Sequence, residues 1–145
     1  MAQRRKAAKT SSVNPLAAIS TPDLLAHYPD LDQWPLRWRG SDQDIEPGRR
    51  IVACFRPFLA HLAANLARST MRRHADNLWI LGGEIIRDLN ESPRLRKTPM
   101  DQLVFDAVDG GGLLPHHRDS EDQLRSFEST CNKFRRFLQS QRSKR

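Results

Sequence analysis

Apolar residues recur at three- and four-residue spacing in four stretches of this chain, and no stretch alternates long enough to make a strand. The first stretch, residues 49–66, places Ile51, Phe55, Phe58, Leu62 and Leu66 on one helix face. Pro57 falls inside it and predicts a kink or a fresh start. The second, residues 70–89, is the clearest. Met71, Leu78, Leu81, Ile85 and Leu89 form its stripe, Trp79 and Ile86 widen it, and Ser69 or Thr70 is the expected cap. Gly82 and Gly83 in mid-helix cost about 1 kcal/mol each against alanine, which close approach of a neighbouring helix at Gly82 would offset. The third, residues 98–108, has Thr98 as cap, Pro99 in the first helical position and Leu103, Val104 and Val108 as its buried face. Gly110, Gly111 and Gly112 end it. The fourth, residues 120–139, opens on a Ser120/Gln123 capping box and carries Leu124, Phe127, Cys131, Phe134 and Leu138, with Phe137 to one side. The expected fold is all-α: a compact bundle of four main helices with an irregular N-terminal arm.

Outside these stretches the chain divides by composition. Residues 1–19 are basic, small and polar, and read as a disordered tail. Residues 20–48 hold Pro22, Pro29, Pro35 and Pro47 beside Tyr28, Trp34 and Trp38. They read as an irregular arm pinned to the body by its aromatic rings, with one short helix at 22–27. Residues 49–140 are the expected helical domain, and 141–145 a second basic tail.

Charge sharpens the picture. The 145 residues carry a formal +7, unevenly spread. Residues 1–19 contribute +4, 67–97 contribute +3 and 120–145 contribute +4, whereas 98–119 carry −3. Such a basic surface points to a polyanion, with nucleic acid ahead of an anionic membrane. No run approaches the roughly 20 apolar residues a bilayer span needs, and no apolar stretch follows the basic start as in a signal peptide. Cys54 and Cys131 lie far apart among apolar neighbours and read as reduced core thiols of a cytoplasmic protein, a disulfide being the alternative.

Catalytic and metal chemistry find little footing. His116, His117, Asp119 and Glu121 lack the spacing of a helical metal site and sit beside a glycine- and proline-bounded loop. His61 and His74 fall near apolar stripes, as semi-buried histidines do. The triple glycine lacks the Lys and Ser/Thr that make a phosphate loop, and neither cysteine has a Cys-x-x-Cys partner. No catalytic residue, metal ligand or cofactor is expected.

The basic clusters carry more. Arg68, Arg72 and Arg73 crowd the start of the second helix, where the helix dipole already presents positive charge. A phosphate docked against them, Thr70 and the free N–H groups would relieve that repulsion. Opposite the core stripe of the fourth helix lie Arg125, Ser129, Asn132, Lys133, Arg136 and Ser140, all cationic or hydrogen-bonding. Lys and Arg there would hold phosphates, while Ser129 and Asn132 would reach phosphates or base edges.

The order of these features resembles the core-binding domain of tyrosine recombinases and phage integrases. The likeness rests on Phe58-Leu59-Ala60-His61-Leu62, on Arg68-Ser69-Thr70-Met71-Arg72-Arg73-His74, on Asn77-Leu78-Trp79-Ile80-Leu81, and on the helix from Arg125 to Leu138. It spans roughly residues 49–140. It implies a bundle of four or five helices that straddles DNA as half of a clamp. Ser69 adjoins Thr70 directly, a departure from the family's Ser-x-x-Thr-like turn. The family's catalytic arginines, His-x-x-Arg element and tyrosine nucleophile have no counterpart, since the only tyrosine is Tyr28. The resemblance therefore implies a non-catalytic DNA-binding module, accessory to or remnant of a mobile-element integration system, with a recombinase or other protein as a further partner. The alternative is a helical protein-interaction module docking through Ile80 and the aromatic arm.

Overall fold

The computed structural model describes residues 21–109 and 120–143, and every regular element among them is helical. Six α-helices occur in order: α1 (Thr21–His27), α2 (Trp34–Trp38), α3 (Ile45–Asn65), α4 (Arg68–Glu91), α5 (Met100–Val108) and α6 (Glu121–Ser143). Single 3₁₀ turns occupy Leu31–Gln33, Asp42–Asp44 and Pro93–Lys97. The all-α expectation holds, with six helices among the described residues where four main ones and a short one in the arm were expected. None is long and apolar enough to cross a membrane.

The arm is the largest difference. The short helix expected at 22–27 is α1, but the residues after it, expected to be irregular, form two 3₁₀ turns, α2 and the start of α3. The prolines explain both the expectation and its failure. Pro22, Pro35 and Pro47 each fall in the first turn of a helix, where the missing N–H has no partner to lose. They start helices rather than break them. Pro57 lies inside α3, yet the helix runs through it as one element, starting four residues before the expected Arg49.

The core holds the expected stripes: Ile51, Phe55, Phe58 and Leu62 of α3, and Met71, Leu78, Leu81, Ile85 and Leu89 of α4. On α6 the buried face is Phe127, Thr130, Cys131, Phe134 and Phe137. Leu124 and Leu138 are only half-buried, so the helix is rolled toward Thr130 and Phe137 relative to the expected stripe. The cause is aromatic packing. Phe134 stacks on Phe58 at 4.9 Å between centroids and meets Phe55 edge-on at 5.5 Å, while Phe137 tilts against Phe58 at 5.3 Å. Cys54 and Cys131 are both free thiols. Burial pushes their pKa values up to about 11 and about 12.

Helix ends differ from expectation by single steps. The cap of α4 is Ala67, whose side chain bonds nothing, rather than Ser69 or Thr70. Pro99 caps α5 from outside, one residue later than expected. The Ser120 hydroxyl accepts from the Gln123 N–H at 3.1 Å, as its capping role predicts. The glycine run 110–112, His116, His117, Asp119 and the N-terminal tail lie outside the described residues. So do residues 144–145, whereas 141–143 of the expected C-terminal tail belong to α6.

Two contacts lock the arm to the body. Trp38 lays its indole over Gly82, where an added Cβ would sit 2.2 Å from its Cζ2. The close neighbour at Gly82 is thus a side chain of α2 rather than another helix. The same indole donates its Nε1–H to the Trp79 carbonyl at 2.9 Å. Tyr28 donates its hydroxyl to the Leu59 carbonyl at 2.8 Å. The second lock is Asp44, fully buried before α3. Its carboxylate accepts from the N–H groups of Gly40 (2.8 Å) and Ser41 (3.3 Å), from Asn90 Nδ2 (3.1 Å) and from Arg96 Nη2 (2.8 Å). Burial alone would raise the Asp44 pKa, but Arg96, Asn90 and the two backbone donors together hold it below the ordinary carboxylate value.

Two predictions follow from these contacts. Gly82→Ala loses about 1–3 kcal/mol in urea denaturation despite its better helix propensity, because the indole must move. Gly83→Ala, whose Cβ would meet the ring at an ordinary 3.4 Å, is neutral or gains up to about 1 kcal/mol. Equal effects at the two sites would contradict the packing. Asp44→Asn costs about 2–3 kcal/mol at neutral pH by leaving Arg96 without its charge partner. With the folded-state pKa depressed, Asp44 contributes its stability above the unfolded carboxylate pKa of about 4, and that contribution drains away as pH falls through the folded value. The wild-type and D44N denaturation midpoints should therefore converge in acid.

Candidate nucleic-acid interface

The two basic clusters read from the sequence sit on helices that pack side by side, α4 against α6. The seam between them is polar. Asn77 Nδ2 donates to Ser126 Oγ (3.0 Å), to the Ser126 carbonyl (3.2 Å) and to Thr130 Oγ1 (2.9 Å). His74 Nδ1 lies 2.7 Å from Thr130 Oγ1, the imidazole tautomer setting which of the two donates. His74, Asn77 and Thr130 are all buried. Pairing of 74 with 130 and 77 with 126 makes the helices antiparallel, so the arginine-rich start of α4 lies beside the stretch of α6 that follows Thr130.

In that register one cation from each cluster bears on the same imidazole. Arg73 of α4 and Lys133 of α6 both act on the His74 ring. Burial is the main reason the His74 pKa falls below 6.5, and repulsion by Arg73 and then Lys133 lowers it further. Arg136 stands exposed one turn along α6 from Lys133. Among the described residues, Arg68, Arg72, Arg73, Lys133 and Arg136 have no ion-pair partner.

The remaining expected residues divide. Arg68 is exposed and Thr70 half-buried at the start of α4, both near the seam by sequence position. Ser129 is exposed and Asn132 half-buried on α6. Arg125 is a correction. It pairs with Asp122 and, at 3.8 Å, with Glu121, so a face read as free of acids is partly neutralised one turn upstream. Arg72 is also exposed, as expected, but it turns away from the seam toward the arm.

Arg72 lines a groove of about 460 Å³ between the arm and α4. Trp34, Arg37, Asp30, Asp76 and Trp79 share its walls. Trp79 was expected to widen the core stripe but is 39% exposed. Arg72, Asp76 and Trp79 stand at i, i+4 and i+7, one face of α4, a signal that was present in the sequence. Arg37 was missed because its helix was taken for irregular chain. The seam residues Asn77, Ser126 and Thr130 were missed because a polar residue beside an apolar stripe reads as its border.

The residues expected to dock a protein partner are turned inward. Tyr28 and Trp34 are buried, Trp38 is packed on Gly82, and Ile80 is half-buried against the core. Among the described residues no three His, Cys, Asp or Glu side chains cluster as metal ligands would. No protein-family model matches the sequence, and neither a curated protein nor a solved structure matches it.

The seam has a pH signature. Because the folded His74 pKa is depressed, its contribution to stability is full above about pH 6.5 and is lost as pH falls from there toward the folded value. NMR titration should place the ring below 6.5, and Lys133→Gln should move it partway back up. A ring titrating at or above 6.5 would show that the imidazole is not buried at the seam as described.

Proposed function

We propose that the chain is a non-catalytic DNA-binding helical module whose contact surface is the α4–α6 seam. The observation that carries the reading is the hydrogen-bonded α4–α6 register, which sets the arginine-rich start of α4 beside the half of α6 that carries Lys133 and Arg136. Cations from two helices that share one face, with no acid among the described residues pairing them, attract a run of phosphates. Arg68 and Arg136 extend the cationic surface along the two helices, Thr70, Ser129 and Asn132 offer hydrogen bonds beside it, and Arg72 leads off its edge. Arg125, paired with its own acids, contributes least.

The resemblance to tyrosine-recombinase core-binding domains supports the same reading through the residues from Arg68 to His74 and from Arg125 to Leu138. In that setting the module is an accessory of DNA integration or recombination, and a separate recombinase chain supplies catalysis. The chain's one tyrosine, Tyr28, is buried in the arm with its hydroxyl given to the Leu59 carbonyl, which does not suit a nucleophile.

Fluorescence anisotropy with a labelled random-sequence duplex, titrated across salt, tests the reading. Neutralising about three to five phosphates gives a log K against log salt slope of roughly −2.7 to −4.5. Arg73→Glu/Lys133→Glu/Arg136→Glu should bind about a hundredfold more weakly with a shallower slope, its helicity unchanged by circular dichroism. Binding that ignores salt, or survives the triple reversal, would refute the assignment.

A further inference from the structure

The groove between the arm and α4 is built for something other than a bare phosphate. Its walls carry two arginines, Arg37 and Arg72, and two carboxylates, Asp30 and Asp76, together with the exposed indole of Trp79. Among the described residues none of these four charged groups is in an ion pair. A site for phosphate alone gains nothing from two acids. A purely apolar ligand gains nothing from four charges. One chemistry uses all of them: an unpaired nucleotide, which offers a flat π-face, a phosphate, and amino hydrogens on its base edge. Its volume of about 460 Å³ falls within the roughly 300–1,000 Å³ typical of small-molecule pockets.

We infer that this groove takes an unpaired base of a nucleic-acid strand, stacked on Trp79, with its phosphate toward Arg37 or Arg72 and its exocyclic amine toward Asp76 or Asp30. The indole is the stacking platform, since base–aromatic stacking tolerates any base. The carboxylates accept from a cytosine-type amine and would disfavour thymine, which offers a carbonyl there. Position supports the assignment. Arg72 and Arg73 are neighbours on α4, Arg72 lining the groove and Arg73 bearing on His74 at the seam, so one turn of the helix carries cations to both surfaces. Trp79 is free to serve because its fixed contact, the hydrogen bond from Trp38, is made through its backbone carbonyl. The inference rests on the nucleic-acid reading of the seam and adds to it a preference for unpaired strand.

The test compares a short oligodeoxycytidine, a matching oligothymidine and a blunt hairpin duplex. The full chain is measured against Trp79→Ala, Trp79→Phe, Arg37→Gln and the seam variant Arg73→Glu/Lys133→Glu. Oligodeoxycytidine should quench the tryptophan fluorescence and bind more tightly than oligothymidine. Trp79→Ala should weaken it about tenfold or more, Trp79→Phe should keep most of the affinity, and Arg37→Gln should weaken it severalfold. Duplex affinity should be indifferent to Trp79→Ala and fall in the seam variant. Trp79 and Arg37 are both exposed, so two independent substitutions probe the groove without disturbing the core. Single-strand binding unchanged by Trp79→Ala and Arg37→Gln, or weakened no more than duplex binding, overturns the groove assignment. Duplex binding without single-strand binding overturns it while leaving the seam reading intact. Failure of both strands to bind removes both. Capture of an acidic or arginine-rich peptide in place of the oligonucleotide would give the groove to a protein ligand and likewise overturn it.

Discussion

The indole of Trp38 rests on bare backbone at Gly82, and the arm's position on the body depends on it. Any side chain at that position would hold α2 away from α4, and the hydrogen bond from Trp38 to the Trp79 carbonyl could not close. With α2 docked, Pro35 comes against Gly48 of α3, where an added Cβ would again find only 2.9 Å. The arm is thus seated by two glycines on two different helices. Its prolines start its helices, its aromatic rings fill the space between them, and the outer wall of the groove exists only because that docking is tight.

On the other side of α4 the problem is opposite in kind. The α4–α6 seam is closed by hydrogen bonds among buried polar side chains, which cost more than apolar ones unless every partner is met. Asn77 meets three acceptors and Thr130 takes part in three bonds, so the network is densely connected. Such a network sets register. Sliding α6 by one residue against α4 would strand Asn77 in a dry interface, and this is what fixes which residues of the two helices stand side by side. Aromatic stacking of Phe134 and Phe137 on Phe58 sets the roll of the same helix. Polar specificity and apolar adhesion thus act on different degrees of freedom.

Helical periodicity was legible wherever one face is apolar and the other charged, which covers α3, α4, α5 and α6. In the arm only the short helix at 22–27 was legible; α2 was not, because a helix of five residues gives little more than one turn and the proline that starts it looks like a breaker. The exposure of Arg72, Arg73 and Arg136 could be read from the wheel, and so could the burial of Met71 through Leu89. Which cations would meet could not, since that depends on the register of two helices some 50 residues apart, fixed by the hydrogen bonds of Asn77 and His74. Gly82 announced a close approach but not its source. Trp79 looked like core because hydrophobicity says nothing about the side of a groove on which a ring will stand.

Asp44 has a further consequence for the order in which the chain can assemble. Most of the helical hydrogen bonds join residues four apart and can form as soon as a turn nucleates. The Asp44 cluster instead joins Asn90 and Arg96 to a position 46 and 52 residues earlier, closing the loop that contains all of α3 and α4. A carboxylate buried before those partners arrive would be an unpaid charge in a dry interior. Its burial is therefore tied to the closed α3–α4 hairpin: with α4 misplaced, Asp44 would lack the Asn90 and Arg96 partners that offset its desolvation, so the latch penalises wrong topologies as well as holding the right one.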